Sequence, residues 1–201
     1  MTVSRSESWI QPGSPEIFIS LNPGRQSAYQ QAMALFQSRG WLLLWGLVLI
    51  GAIHCRPLMP IDETRYLSVA WEMWQQGDFL VPHSNGVPYS HKPPLLFWSI
   101  HLSWLLFGVN EVSARMVAPL FGLANLVLSA RLARRLWPQE PGVSMLVPFV
   151  LLALPFWTVS STLTMFDMPL TFFVLCATLG MLWVKDRRLW RGWGLAALAL
   201  G

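Results

Sequence analysis

Residues 62–94 read DETRYLSVAWEMWQQGDFLVPHSNGVPYSHKPP. They hold Asp62, Glu63, Arg65, Glu72, Asp78, His83, His91 and Lys92, and form the one long polar island in an otherwise greasy chain. The charge-free run WLLLWGLVLIGAI (41–53) precedes the island, and PPLLFWSIHLSWLLFGV (93–109) follows it. Ionisable groups held against a bilayer are costly and mark function by default. The island is therefore the expected seat of chemistry, with membrane helices on both sides to hold it.

Composition agrees. Of 201 residues, 54% are apolar and only 12% charged, about half the share in soluble domains. That excludes a soluble globular protein. The 12 tryptophans suit interfacial belts. The net charge of +4 sits in short clusters beside apolar segments, where it orients helices in a membrane, and does not point to nucleic acid. Cys55 and Cys176 lack CxxC spacing and fall at different depths, which argues against a disulfide or a cysteine metal site.

Before the island, residues 1–40 are polar, punctuated by Pro and Gly, and read as a disordered cytoplasmic tail; a start at Met33 is a second reading. From Trp41 towards Pro60 the chain is long enough to cross a bilayer. No A-x-A cleavage site follows, so this is a retained signal anchor. Arg25 and Arg39 place its N-terminal side in the cytoplasm, and the island faces outward, into the periplasm of a bacterium or the lumen of an equivalent compartment.

Within the island, Tyr66, Val69, Ala70, Met73 and Trp74 recur at helical spacing, which predicts a helix over Asp62–Gln76. Asp62 is placed to cap it and Gly77 to end it. Pro82, Asn85-Gly86 and Pro88 enforce turns.

Past the island, Pro93–Gly108 is short and interrupted by Ser99, His101 and Ser103. It reads as a juxtamembrane helix along the outer interface, because Val112–Leu132 then crosses alone and delivers Arg131, Arg134 and Arg135 to the cytoplasm. Pro141–Val184 makes two crossings with a turn near 160–167, before Lys185, Arg187, Arg188 and Arg191. Asp167 returns to the face of Asp62 and Glu63. Gly192–Gly201 opens a further apolar helix too short to span, as in the N-terminal piece of a longer protein. The expected fold is all-α: a polytopic transmembrane helical bundle of about four crossings, with an outer loop, about 60–110, carrying juxtamembrane helices.

Residue by residue, the chemistry stays two-sided. Asp62-Glu63 fits a divalent-cation site or a general base, and equally a helix cap beside a solvated acid. Arg65 and Lys92 fit a phosphate or lipid headgroups. His83 and His91 fit a metal without diagnostic spacing, or are ordinary loop histidines. Asp167 is a lone carboxylate between apolar helices, functional or the cap of a helix at Met168-Pro169. No Gly-rich phosphate loop, GxGxxG or legible Ser-His-Asp arrangement occurs.

Taken together, DETRY, GDFLVPHSNGVPY, HKPPLLFW, FGVNEVSAR, RLARRLWP and TLTMFDMPL, in this order, resemble the polytopic GT-C glycosyltransferases, nearest to the bacterial branch that includes the aminoarabinose transferases modifying lipid A. Protein O-mannosyltransferases are more distant relatives. The resemblance runs from Trp41 to the end. It implies an enzyme that moves a pentose or hexose from a polyprenyl-phosphate donor to a lipid A, envelope or protein acceptor, at the outer face of the bacterial inner membrane. It implies Asp62, Glu63 and Asp167 as catalytic carboxylates, and Arg65, Tyr66 and Lys92 as substrate-binding residues. His91 stands where the aminoarabinose transferases typically have Glu before Lys-Pro. If a divalent metal ion is used, His91 and Asp62 are its candidate ligands. The rival readings are a non-enzymatic transporter or scaffold, which would carry its charges at mid-membrane, and an inactive truncated remnant.

Overall fold

The computed structural model describes residues 23–200, with side-chain surroundings from 39 to 199. The expected tail over 1–22 lies outside the described residues. From Pro23 to Cys55 the chain is helical, including the 23–40 part of the expected tail. Helix α1 spans Pro23–Cys55. Proline suits a first helical turn, and the segment after it contains few helix breakers. Of the described residues, those up to Ala34 fall in one compact unit and those from Leu35 in another; the second holds every site described below.

Helix α2 spans Asp62–Gln76, as its periodicity predicts. Tyr66, Val69, Ala70 and Met73 are buried in one stripe. Each of the larger side chains contributes about 1.5–3 kcal/mol on burial. Gly77 ends the helix in the left-handed region, φ 68°. The Asp78 carboxylate then accepts from the N–H groups of Leu80 and Val81. A two-residue hairpin follows, β1 (His83–Ser84) against β2 (Val87–Pro88). Asn85 and Gly86 both have positive φ, the signature of a type I′ turn. Helix α3 (Leu95–Phe107) has only 13 residues, roughly 20 Å at 1.5 Å per residue. It is too short to cross and packs back on α2. His101, which broke the apolar run, is a satisfied core histidine: its Nε2 lies 2.8 Å from the Ala70 carbonyl, among the rings of Trp74, Phe79 and Trp104. Asn110 caps α4 (Glu111–Arg115), accepting from the Ser113 N–H.

Five further helices follow among the described residues: α5 (Val117–Leu136), α6 (Pro141–Ala153), α7 (Pro155–Ser160), α8 (Asp167–Lys185) and α9 (Leu189–Leu200). The stretches 111–136 and 167–185 are long and apolar enough to cross a membrane. The charge-free run 41–53 lies within the continuous helix α1, which ends at Cys55 and not nearer Pro60. One expected crossing differs from the reading. The 141–160 segment is broken, because Pro155 forces Leu154 out of the helical region, to ψ 110°. The Thr158 hydroxyl donates to the Leu152 carbonyl at 2.7 Å, a side-chain partner beside the break, as expected at a proline break in a membrane.

Contacts fix which ends lie together. The Glu63 carboxylate bonds the backbone of Thr164, so the 161–166 turn sits beside the start of α2. Arg135 pairs with Asp186 at the other end of α5 and α8. The expected alternation of ends along the chain therefore holds. Two apolar cores result among the described residues. One joins α2, α3, α4 and the start of α5. The other joins α1, α5, α6 and α7 around Trp45, Leu126 and Leu152.

Candidate active site

The first turn of α2 is set by Ile61, whose backbone stands at φ 76°, ψ −59°. A β-branched residue there is a strained outlier, of the kind that clusters at functional sites. Ile61 takes the N-cap position and there is no side-chain cap, so Asp62 is not the cap that the sequence suggested. Asp62 lies one residue inside the helix. Its carboxylate reaches Arg65 at 3.5 Å with both side chains more than 40% exposed. Such a loose, solvated pair leaves both charges available to a ligand.

Glu63 behaves in the opposite way. It lies in the same stripe as Tyr66, Ala70 and Met73, and is fully buried. Arg56 grips both carboxylate oxygens, at 2.5 and 3.1 Å, and the N–H groups of Met59 and Thr164 donate at 2.8 Å each. Burial by itself pushes the Glu63 pKa up, but the Arg56 and backbone hydrogen bonds prevail and hold it below the ordinary range. With every acceptor direction answered by protein, Glu63 ties the end of α1, the start of α2 and the 161–166 turn together. It does not present its carboxylate to a substrate, contrary to the catalytic reading. The network continues: Arg56 also donates to the Thr162 carbonyl, while Arg115, 4% exposed, donates to the carbonyls of Ala52 and Arg56 and pairs with Glu111.

Around this anchor the expected ligand-facing residues converge. The Tyr66 ring stands edge-on to Phe166, centroids 5.0 Å apart. The Lys92 ammonium sits over the same Phe166 ring, 5.6 Å from its centroid. Burial first, then the neighbouring Tyr89, Asp62 and Asp167, push the Tyr66 phenol above its usual pKa, while Arg65 pulls the other way. One hydroxyl thus feels Asp62, Arg65 and Asp167 together. Asp167 is exposed in the first turn of α8, where the helix dipole favours a carboxylate. Phe166 takes the N-cap position and no side-chain cap bond forms, so the capping reading of Asp167 falls.

Lys92 is positioned by the hairpin. The Glu72 carboxylate accepts from the N–H groups of Asn85 at 2.9 Å and Gly86 at 2.6 Å, strapping the turn to α2. The Tyr89 N–H closes the hairpin base on the Pro82 carbonyl. His91 stacks edge-on against Tyr89. Among the described residues no group of three His, Cys, Asp or Glu side chains could hold a metal ion.

Arg56, Tyr89, Arg115 and Phe166 escaped the sequence reading, and Glu72 was given no role beyond membership of the island. For Glu63 a signal existed: a carboxylate in the apolar register of an amphipathic helix must be buried and partnered. Arg115 carried a similar one, as a lone cation at the mouth of an apolar span.

A family model described as dolichyl-phosphate-mannose-protein mannosyltransferase matches residues 91–201. The undecaprenyl phosphate-alpha-4-amino-4-deoxy-L-arabinose arabinosyl transferase 1 of Pseudomonas fluorescens is 31% identical over 170 residues, covering 82% of this chain and 31% of that protein. An arabinosyl transferase of the same description from Pseudomonas aeruginosa is 29% identical over 164 residues, 80% of this chain and 30% of its own. Crystal structures of ArnT from Cupriavidus metallidurans, in the apo state and bound to undecaprenyl phosphate, share the fold with a TM-score of 0.68. They are 29% and 30% identical, over 81% of this chain and 32% of theirs. The chain spans about a third of the length of these relatives.

Proposed function

The chain belongs to the dolichyl-phosphate-mannose-protein mannosyltransferase family, and from that membership we propose that it forms the donor-gripping part of a membrane glycosyltransferase that uses a polyprenyl-phosphate sugar. The observation that carries this is the convergence of Asp62, Arg65, Lys92 and Asp167 on the Tyr66–Phe166 pair, at one end of the helices. A transporter would be expected to hold its charges at mid-membrane on broken helices.

In this reading the lipid phosphate is the leaving group. Arg65 offers a planar fork and Lys92 a point charge, and both stabilise the negative charge that grows on the phosphate as the glycosidic bond breaks. Phe166 holds the Lys92 ammonium in place through its ring face. Asp62 orients the acceptor hydroxyl and takes its proton; an acceptor phosphate needs only orientation. Asp167 lines the other side of the same space. An apolar cavity of ≈ 350 Å³ between α3, α5 and α8, lined by Leu102, Leu106, Val117, Phe121 and Phe172 among others, offers room for polyprenyl carbon. The arabinosyl transferases point to an amino-pentose donor and the family model to mannose; the polyprenyl phosphate is common to both. The acceptor is an envelope lipid such as lipid A, or a protein, at the periplasmic face of the inner membrane.

The test uses the full-length gene product in membranes supplied with a polyprenyl-phosphate sugar. Arg65→Ala and Lys92→Ala, expressed at the wild-type level, should each lower transfer about 10²-fold or more, the usual effect of removing one charge-stabilising donor. Transfer at the wild-type rate in both variants would overturn the assignment.

A further inference from the structure

At the opposite end of the molecule, helices α5, α8 and α9 enclose a second cavity of ≈ 420 Å³. At about 1.5 Å of rise per residue, roughly 27 Å of helix separates Val117, beside the candidate active site, from Arg135. That is nearly the thickness of a bilayer's hydrocarbon, so this cavity opens at the other membrane surface. Its lining has two halves. Arg131, Arg134 and Arg135 line it from the last two turns of α5, together with Trp183 of α8. Cys176 and Leu179, one to two turns further into α8, and Leu195 of α9 supply an apolar wall.

Among the described residues these charges are only partly balanced. Arg135 pairs with Asp186. Arg131 and Arg134 are exposed and have no ion-pair partner among the described residues. The C-terminal end of α5 accommodates cations but repels anions, so an anion held there owes its place to the arginine side chains. Two free guanidinium groups, an interfacial tryptophan and an apolar wall match the parts of an anionic phospholipid: phosphate at the arginines, glycerol at the tryptophan, the first acyl carbons against Leu179 and Leu195. Basic pockets between membrane helices take such headgroups, and guanidinium binds phosphate bidentately.

We propose that this cavity is a binding site for an anionic phospholipid, distinct from the donor site and on the other side of the membrane. The bound lipid would brace α9 against α5 across the Arg135–Asp186 pair. Its occupant is a lipid and not free phosphate, because the apolar wall gains nothing from an inorganic ion.

The test is native mass spectrometry of the full-length protein, delipidated and then supplied with phosphatidylglycerol or phosphatidylcholine. The wild type should retain phosphatidylglycerol about tenfold better than phosphatidylcholine. The double variant Arg131→Gln/Arg134→Gln should lose that preference. Leu195→Trp, which keeps every charge and fills the wall, should lower phosphatidylglycerol retention as well. Excess inorganic phosphate should not displace the lipid. Equal retention of the two lipids by the wild type, unchanged preference in the double variant, or full retention in Leu195→Trp would each overturn the proposal; the last would reduce the effect to general surface charge. Should the double variant not fold, Leu195→Trp and the phosphate competition still decide.

Discussion

The cap of the molecule (α2 to α4 with the hairpin) and its bundle (α1 with α5 to α9) are held together by different means. In the cap, side-chain polar groups clamp backbone: Glu63 on Met59 and Thr164, Glu72 on Asn85 and Gly86, Asp78 on Leu80 and Val81, Arg115 on Ala52 and Arg56. In the bundle, close approach of helices dominates. A Cβ on Gly122 would come within 3.3 Å of Trp45, and one on Gly180 or Gly192 would meet the backbone of the facing helix at 2.9 and 2.6 Å. Lipid gives helices no hydrophobic reason to associate, so small residues and shape do that work. A cap exposed to water needs directional bonds to keep loops in one geometry. The cap is therefore the part that a single polar change should disorganise, and the bundle the part that added volume should.

The largest expected effect is at the Arg56–Glu63 pair. Glu63→Ala leaves a part-buried guanidinium and two backbone N–H groups without their acceptor, and should cost about 3–5 kcal/mol, seen as a large fall in the detergent melting temperature. If the melt is unchanged, the cap is not organised as described. The pair also sets a pH dependence. Because the folded pKa of Glu63 lies below its unfolded value, its contribution is complete above the unfolded value, about 4.3, and is lost as pH falls through the folded one. Wild type should lose stability below about pH 4, and Glu63→Gln should lack that component.

In the bundle, Gly192→Leu must push α9 off the α8 backbone and should cost about 1–3 kcal/mol or more, whereas Gly46→Leu, whose Cβ direction is open, should melt near wild type. Equal melts would erase the distinction. A smaller effect is expected at Glu72. Its loss frees the hairpin turn at about 1–2 kcal/mol and should raise hydrogen exchange at Asn85 and Gly86 while leaving α5 and α8 protected. Transfer should fall more than stability, because the strap positions Lys92.

Much of this was legible in the sequence where the causes are local. Helix α2 and its glycine stop follow from spacing and backbone freedom, the hairpin turn from Asn85-Gly86, the short α3 from its interruptions. The alternation of ends followed from arginine placement. Contacts between distant residues were not legible. Arg56 reaches Thr162, 106 positions on, and Glu63 reaches Thr164, 101 positions on; no local pattern encodes either. The break at Pro155 shows another limit. The proline was visible, but the apolar pattern around it favoured one continuous span. Adjacent carboxylates invited a single role, though helical geometry points them in different directions.

The smallest effect on folding and the largest on chemistry should fall on the same residue, Asp62. Its exposed pairing with Arg65 contributes little, so Asp62→Asn should melt within about 0.5 kcal/mol of wild type. The decisive measurement is sugar transfer per folded molecule, together with the melting temperature, for full-length wild type, Asp62→Asn and Glu63→Gln. The account predicts that Asp62→Asn melts normally and loses transfer about 10²-fold or more, while Glu63→Gln melts lower and keeps transfer per folded molecule within a few-fold. Normal transfer in Asp62→Asn, or transfer abolished in a normally melting Glu63→Gln, would contradict the division between an acid that faces the substrate and one that holds the cap.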